Sequence, residues 1–405
     1  MEHVPVPYFE PAMEPILIEQ LPASKRFLRL AIVTETYPPD INGVAISLSR
    51  FVDGLRERNH EIQLIRPRQD HAEQGAQDNG FDEMLTDGIP IPRYPNLKMG
   101  LPAKRPLIKQ WILRRPDLVH IVTEGPLGWS ALQAALKLKI PVCSDFRTNF
   151  HAYSRHYGIG WLKKPIVAYL RKFHNHTLLT MVPTEQMRAE LAAAGFHNLR
   201  VVARGVDTQL FNPSRRSESL RQEWGVTPDT PVVLHVGRLA AEKNLVALTT
   251  AYLAIRQQQP HARLVLVGDG PEEKAMRNRL PDAIFAGTRR GEDLATHYAS
   301  GDFFLFPSLT ETFGNVTLEA MASGLPLVAY DYAAAAQHVR HGANGLLAAF
   351  GRTQEFAAMA KELAAKHANE PEGFQAMGRN ARLTAEALDW KCVVQQLETL
   401  MFSIA

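Results

Sequence analysis

Hydrophobic positions along the chain fall into two recurring patterns: short apolar runs, and stretches apolar on one helical face. The first apolar run, residues 27–33, reads as a strand. A loop from Thr34 to Gly43 follows, holding Tyr37-Pro38-Pro39-Asp40 and Asn42-Gly43. Val44, Leu48, Phe51, Val52 and Leu55 then share one face of a helix, and residues 61–65 form a second strand. Strand, loop, helix and strand in that order imply a parallel sheet. The unit recurs, with strands predicted at 118–122, 141–144, 177–182 and 199–202 and helices at 131–138 and 184–194.

Residues 203–228 are polar and broken by Gly205 and Asn212-Pro213, which marks a domain boundary. Beyond it the alternation starts afresh. Strands are predicted at 231–236, 262–267, 303–306 and 325–329. Helices are predicted at 244–257, 315–322, 353–367, 372–388 and 391–401. The expected fold is α/β, with two doubly wound Rossmann-like domains facing across a cleft. Residues 1–26 read as an irregular extension, 27–205 and 206–388 as the two domains, and 389–405 as a terminal helix. Ligands of such sheets sit beyond the carboxyl ends of the strands, so the chemistry belongs in the cleft.

The 405 residues suffice for two or three domains, each with its own core. With 45% hydrophobic and 21% charged residues, the composition argues against wholesale disorder, collagen-like repeats and a multispan membrane protein. Two cysteines, Cys143 and Cys392, cannot build a disulfide framework or a cysteine-based zinc site. A net charge of +3 gives no reason to expect nucleic acid. Residues 1–24 carry Glu2, Glu10, Glu14 and Glu19 among prolines, unlike a signal peptide. No apolar stretch approaches 18 residues. The expectation is a cytoplasmic enzyme with room for peripheral contact at the inner membrane face.

The strongest motif runs from Ser308 to Pro326. Glu311 precedes a helix, Gly314-Asn315 opens it, and Glu319 sits about one turn inside. Free N–H groups and the helix dipole favour a phosphate at such a start. Glu311 would reach sugar hydroxyls on one side of that phosphate, and Glu319 ribose hydroxyls on the other. An arbitrary pair of glutamates would be an ordinary helix start and one exposed residue. The preceding strand, the Gly-Asn turn and the trailing Ser323-Gly324-Leu325-Pro326 favour the functional alternative.

Gly237-Arg238 and Lys243-Asn244 follow the first strand of the second half. Two cations there suit a diphosphate facing the same helix start; alone they would read as a solvated basic loop. Gly268-Asp269-Gly270 lacks dinucleotide-loop spacing and reads as a structural turn. Gly43 would let backbone approach a donor phosphate or sugar from the opposite domain. The segment from Asp145 to Tyr157 crowds Arg147, Asn149, His151 and Tyr153 where a cleft-lining loop belongs. His151 could exchange a proton, whereas Arg147 could only donate hydrogen bonds.

Residues 98–205 hold 17 Lys and Arg against 5 Asp and Glu. Lys163, Lys164, Arg171 and Lys172 interleave with Trp161, Leu162, Ile166, Tyr169 and Phe173. The stretch Trp161 to Asn175 therefore suits an anionic membrane surface, an anionic acceptor, or an ordinary solvated helix face.

Taken together, the chain resembles the retaining GT-B glycosyltransferases of family 4, including bacterial mannosyl- and glucosyltransferases of lipids. The resemblance covers nearly everything after residue 27. It rests on Glu311-x7-Glu319 with Phe313-Gly314, on Gly237-Arg238 with Lys243-Asn244, and on Gly205-Val206-Asp207. It implies a nucleotide-sugar in the second domain and a lipid or glycan acceptor in the first. Donor contacts then fall on Gly43, Gly237, Arg238, Lys243, Glu311, Phe313, Gly314, Asn315 and Glu319. Acceptor contacts fall on Asn149 and Tyr153. Catalytic roles fall on Glu311, Arg238, Lys243, Arg147 and His151. The terminal helix containing Trp390 should cross back to the first domain. Many relatives have His where this chain has Arg147; His151 lies four residues later. No Asp-x-Asp triplet occurs, so no metal is expected and no cofactor beyond the nucleotide-sugar co-substrate. Two other functions fit the same features. A nucleotide-sugar epimerase would convert the donor with no acceptor present, and a non-catalytic nucleotide- or membrane-binding module would show no turnover.

Overall fold

A computed structural model describes residues 27–40, 43–70, 72–91, 94–147, 163–311 and 313–405. The strands are β1 (Arg29–Val33), β2 (Glu61–Pro67), β3 (Gln77–Asp78), β4 (Phe81–Thr86), β5 (Gly88–Ile91), β6 (Tyr94–Gly100), β7 (Leu118–Ile121), β8 (Val142–Asp145), β9 (Leu179–Val182) and β10 (Leu199–Val201). The second half adds β11 (Val232–Val236), β12 (Arg263–Val267), β13 (Ile284–Gly287), β14 (Phe303–Phe306), β15 (Leu327–Tyr330) and β16 (Leu346–Ala348).

The first sheet has the order β10-β9-β8-β7-β1-β2-β4-β3, and the second β13-β12-β11-β14-β15-β16. All pairings are parallel except β3 with β4, and the separate hairpin of β5 and β6 is antiparallel. Apart from the antiparallel edge strand β3, each sheet reverses its order at one place, between β1 and β7 in the first and between β11 and β14 in the second. Those reversals are where this topology opens a crevice for ligands. The architecture is the expected pair of doubly wound domains.

Central strands are buried along their whole length, as in Phe303-Phe304-Leu305-Phe306 and Val232-Val233-Leu234-His235-Val236. Helices cover both faces of a parallel sheet, so such strands read as continuous apolar runs rather than alternating ones. Burying each large side chain contributes about 1.5–3 kcal/mol. The second domain carries two such cores, one on each face of its sheet.

The chain passes between domains twice. Val202 packs in a first-domain core, and Ala203 and Val206 in a second-domain core. The return crossing lies beside this one: Val206 N–H donates to the Leu388 carbonyl at 3.0 Å, and Val206 pairs with Asp389. Asp389 then caps the helix Trp390–Phe402 by accepting from Lys391 N–H at 3.0 Å. That helix buries Val393, Val394, Leu397 and Met401 against the first domain, with Trp390 edge-on to Phe51 at 5.3 Å. Glu398 accepts from Arg58 Nε at 2.8 Å and lies 2.9 Å from His60 Nε2. His60 Nδ1 accepts from Leu28 N–H, so the ring proton sits on Nε2, toward the carboxylate.

Candidate active site

At the second reversal, the loops after β11 and β14 meet. Ser308 is buried and its hydroxyl donates to Glu311 Oε1 at 2.8 Å. The Lys243 ammonium forms an ion pair with the same oxygen, with its Nζ 5.4 Å from the Phe306 ring centre. Tyr332 O–H donates to the Glu311 carbonyl at 3.0 Å, which fixes the backbone as well. Gly314, at φ +96°, ends the loop and starts the helix Asn315–Ala322, and no side chain caps that end. A β-carbon would be strained at this φ, which explains glycine here. Asn315 Oδ1 is buried without a hydrogen-bond partner. An amide-rich helix start, an ammonium and a carboxylate therefore share one small region.

Arg238 behaves differently from Lys243. Leu239 is fully buried, and its N–H donates to the Asp269 carbonyl at 2.7 Å. That turns Arg238 outward, where its side chain is 66% exposed and pairs with Glu242. The expected meeting of both cations at the helix start is thus realised by Lys243, while Arg238 stands at the rim. An exposed pair of this kind contributes only ~0.3–0.5 kcal/mol, so the Arg238 guanidinium is free to swing.

The Gly268 turn braces this loop from below. Gly268 lies at φ +132°, where a β-carbon would collide with the Gly237 carbonyl. Its role is structural, as its sequence suggested. Beneath Gly237 sits His235, fully buried and stacked on Phe306. Its Nδ1 lies 2.9 Å from the Leu305 carbonyl and must carry the proton, which leaves Nε2 a bare acceptor with no partner. Burial pushes this ring down to about 4, so it is neutral at pH 7.

Glu319 accepts from the Tyr298 hydroxyl through Oε2 at 2.9 Å. Burial raises its carboxyl to about 7. It lies one turn into the helix whose start faces Lys243.

On the first domain's side, Gly43 opens the helix Gly43–Glu57. A β-carbon there would lie 3.3 Å from Arg204 Nη1. Arg204 reaches across to the second domain, with its guanidinium 6.0 Å from the Phe313 ring centre. Arg147 turns inward, donating through Nε to Asp145 Oδ2 at 2.6 Å, while His120 Nε2 lies 3.1 Å from Oδ1 of that carboxylate. Burial alone would raise the Asp145 carboxyl, but Arg147 and His120 outweigh it and hold it well below the usual range. Glu35, in the loop after β1, faces the start of the helix Pro126–Leu138. Burial lifts its carboxyl to about 7, with Glu124 adding to the effect and the N–H groups of Leu127 and Gly100 opposing it. Asn149, His151, Tyr153, Trp161 and Leu162 lie outside the described residues, as do Asn42 and Thr312.

Sequence reasoning passed over Arg204, Glu35, Asp145, His235 and Tyr298. Arg204 stood in plain view, directly before the Gly205-Val206-Asp207 signature, but a single arginine announces nothing about its surroundings. Among the described residues, no group of three or more His, Cys, Asp or Glu is arranged to hold a metal ion.

Comparisons with known proteins point the same way. Residues 41–210 match the family model "Glycosyltransferase Family 4", and residues 230–366 match "Glycosyl transferases group 1". The chain is 34% identical over 325 residues to a GDP-mannose-dependent alpha-mannosyltransferase of Corynebacterium glutamicum, covering 80% of this chain and 77% of the relative. It is 30% identical over 389 residues to the sulfoquinovosyl transferase SQD2 of Arabidopsis thaliana, covering 93% and 74%. Among solved structures, Anabaena HepE in complex with UDP superposes with a TM-score of 0.72 at 20% identity, covering 93% of this chain and 100% of that one. At that identity the superposition speaks for the fold alone. With both halves matched by family models and a relative this similar across most of its length, the chain belongs to the GT-B glycosyltransferases of family 4.

Proposed function

We propose that this protein transfers a hexose from a nucleotide-sugar to a lipid or glycan acceptor with retention of configuration. GDP-mannose is the leading donor and UDP-glucose the second. The observation that carries this reading is the ion pair of Lys243 with Glu311 at the open start of the helix Asn315–Ala322. The name of the Corynebacterium relative supports GDP-mannose.

In this scheme the donor diphosphate lies against Gly237 and the helix start. Negative charge builds on it as the glycosidic bond breaks. Lys243, helped by Arg238 swinging in from the rim, stabilises that charge; preorganised electrostatics of this kind is the largest catalytic contribution. One oxygen of Glu311 is held by Lys243 and Ser308, which aims the other at sugar hydroxyls. Glu319 receives the ribose. Gly43 admits the sugar from the opposite domain, and domain closure excludes water that would hydrolyse the donor. The acceptor hydroxyl attacks from the face the diphosphate leaves, which retains configuration. Protein cations serve the leaving group, so the reaction is proposed to need no metal.

The acceptor side carries the helix Lys163–His174. It buries Leu170 and Phe173 and exposes Lys164, Ile166, Tyr169, Arg171 and Lys172. Cations beside exposed apolar groups suit an anionic membrane surface, consistent with a lipid acceptor. Among the described residues no helix is long and apolar enough to cross a membrane.

Titration calorimetry with GDP and UDP tests the donor pocket, and binding of neither overturns the proposal. Product analysis with GDP-mannose or UDP-glucose, with and without acceptor, separates transfer from epimerisation of the donor.

A further inference from the structure

Among the described residues, several cations around the cleft are paired with carboxylates. Lys243 takes Glu311, Arg238 takes Glu242, and Arg50 takes Asp207 at 3.1 Å. Asp145 is shared by Arg147 and His120. Arg204 has no ion pair and no hydrogen bond among the described residues, although it is largely enclosed between Gly43 and Phe313. Burial, reinforced by the neighbouring Arg147 charge and only partly opposed by the Asp145 and Glu311 carboxylates, pushes its guanidinium down to about 10. Arg147 contributes a second loose end: its Nη1 is buried and unpartnered. Both arginines line one narrow crevice of about 20 Å³, with Asp145 and apolar Phe51, Val182 and Leu397 around it.

An enclosed cation normally finds a counter-charge, and guanidinium forks fit the paired oxygens of carboxylates, phosphates and sulfonates. The crevice is about the size of one water molecule, too small for a sugar ring but open to a single oxygen of an anionic substituent. We infer that Arg204 and Arg147 form a second anion subsite, on the acceptor-domain face of the cleft, that takes an oxyanion substituent of a substrate. It is distinct from the diphosphate position at Lys243 and rests on the reading of the cleft as the transfer site. The substrate class is thereby narrowed to one carrying a carboxylate, sulfonate or phosphate besides the donor diphosphate. The substituent belongs either to the donor sugar or to the acceptor.

Calorimetry at constant ionic strength tests this with two matched pairs. UDP-glucuronate against UDP-glucose probes the donor sugar; glycerol 1-phosphate against glycerol probes the acceptor. The expected result is that one pair shows the anionic member binding about 10- to 100-fold more tightly. In Arg204→Gln that ratio should fall toward one, and in Arg204→Lys, which keeps charge but loses the fork, it should fall part of the way. Arg147→Gln, checked for folding by circular dichroism, gives the same readout should Arg204→Gln prove unstable. No preference in either pair, or a preference untouched in the folded variants, overturns the inference. UDP and GDP run alone on the wild-type protein report separately on the donor pocket. Their failure to bind would count against that pocket, while the glycerol pair still decides the subsite.

Discussion

The two topological reversals both lie between neighbouring parallel strands, and their electrostatics are opposite. In the second domain the carboxylate, Glu311, meets an ammonium and a hydroxyl, and the resulting cluster opens on the start of a helix. In the first domain a carboxylate at the reversal, Glu35, meets backbone N–H groups and another carboxylate, and its Oε1 is buried with no partner. One crevice is prepared for negative charge and the other resists it at Glu35. The same scaffold thus holds a polar ligand on one side and, on the other, a carboxyl that stays largely protonated up to neutral pH. Arg204, at the chain crossing, places a cation beside the first domain's side, its guanidinium 6.0 Å from the Phe313 ring centre.

The contrast breaks most visibly in turnover. Glu311→Gln or Lys243→Met should lower kcat/KM by about 10²–10³-fold, as for loss of a preorganised charge, whereas Glu35→Gln should cost far less. Equal losses in steady-state kinetics would erase the distinction. Stability comes next. A methyl group at Gly125 would strike the Glu35 carboxyl, so Gly125→Ala should destabilise the first domain by about 2–3 kcal/mol. Gly314→Ala meets only ordinary van der Waals contacts with Glu311, Phe306 and Thr317 besides backbone strain, so thermal unfolding should show a smaller loss of about 1–2 kcal/mol.

The raised carboxyls predict a pH effect with a definite sign. Glu35 and Glu319 have folded-state values near 7, above the ordinary 4.5. The folded protein therefore binds their protons more tightly than the unfolded chain, and stability falls as pH rises from about 4.5 to 7, then levels off. Each group contributes on the order of 3 kcal/mol to that fall. Glu35→Gln should flatten its share, seen as a higher Tm than wild type at pH 8. The smallest effect is expected from Tyr298→Phe, which removes one hydrogen bond to Glu319, about 1 kcal/mol in stability. It should weaken donor binding a few-fold by calorimetry.

The cluster at the second reversal was legible because its groups are close together in sequence. Ser308, Glu311, Gly314 and Glu319 lie on one strand–loop–helix passage, and Lys243 follows a strand whose end is easily found. What a linear pattern does not show is which way a loop residue turns. Burial of Leu239 sends Arg238 outward, and that depends on Asp269 in a different loop. Glu35 and Arg204 escaped for a related reason, since their surroundings come from segments far along the chain. In the fold itself, the regular strands and the long amphipathic helices were readable. The edge elements were not. β3 is exposed, β4 is half-buried up to its last residue, β13 is half-buried throughout, and β16 has only three residues. The helix Lys104–Leu113 carries Pro106 and exposes Ile112 and Leu113, so its apolar face is blurred.

The two connections between the domains run side by side, joined where Val206 meets Leu388 and Asp389 and wedged by Trp390, which a β-carbon at Gly205 would strike at 2.6 Å. Two adjacent tethers act like the knuckles of a door hinge: they let the halves swing about one axis and resist their twisting about another. The closure proposed for transfer would use that axis, so the two lips return to register with no slippage in either sheet.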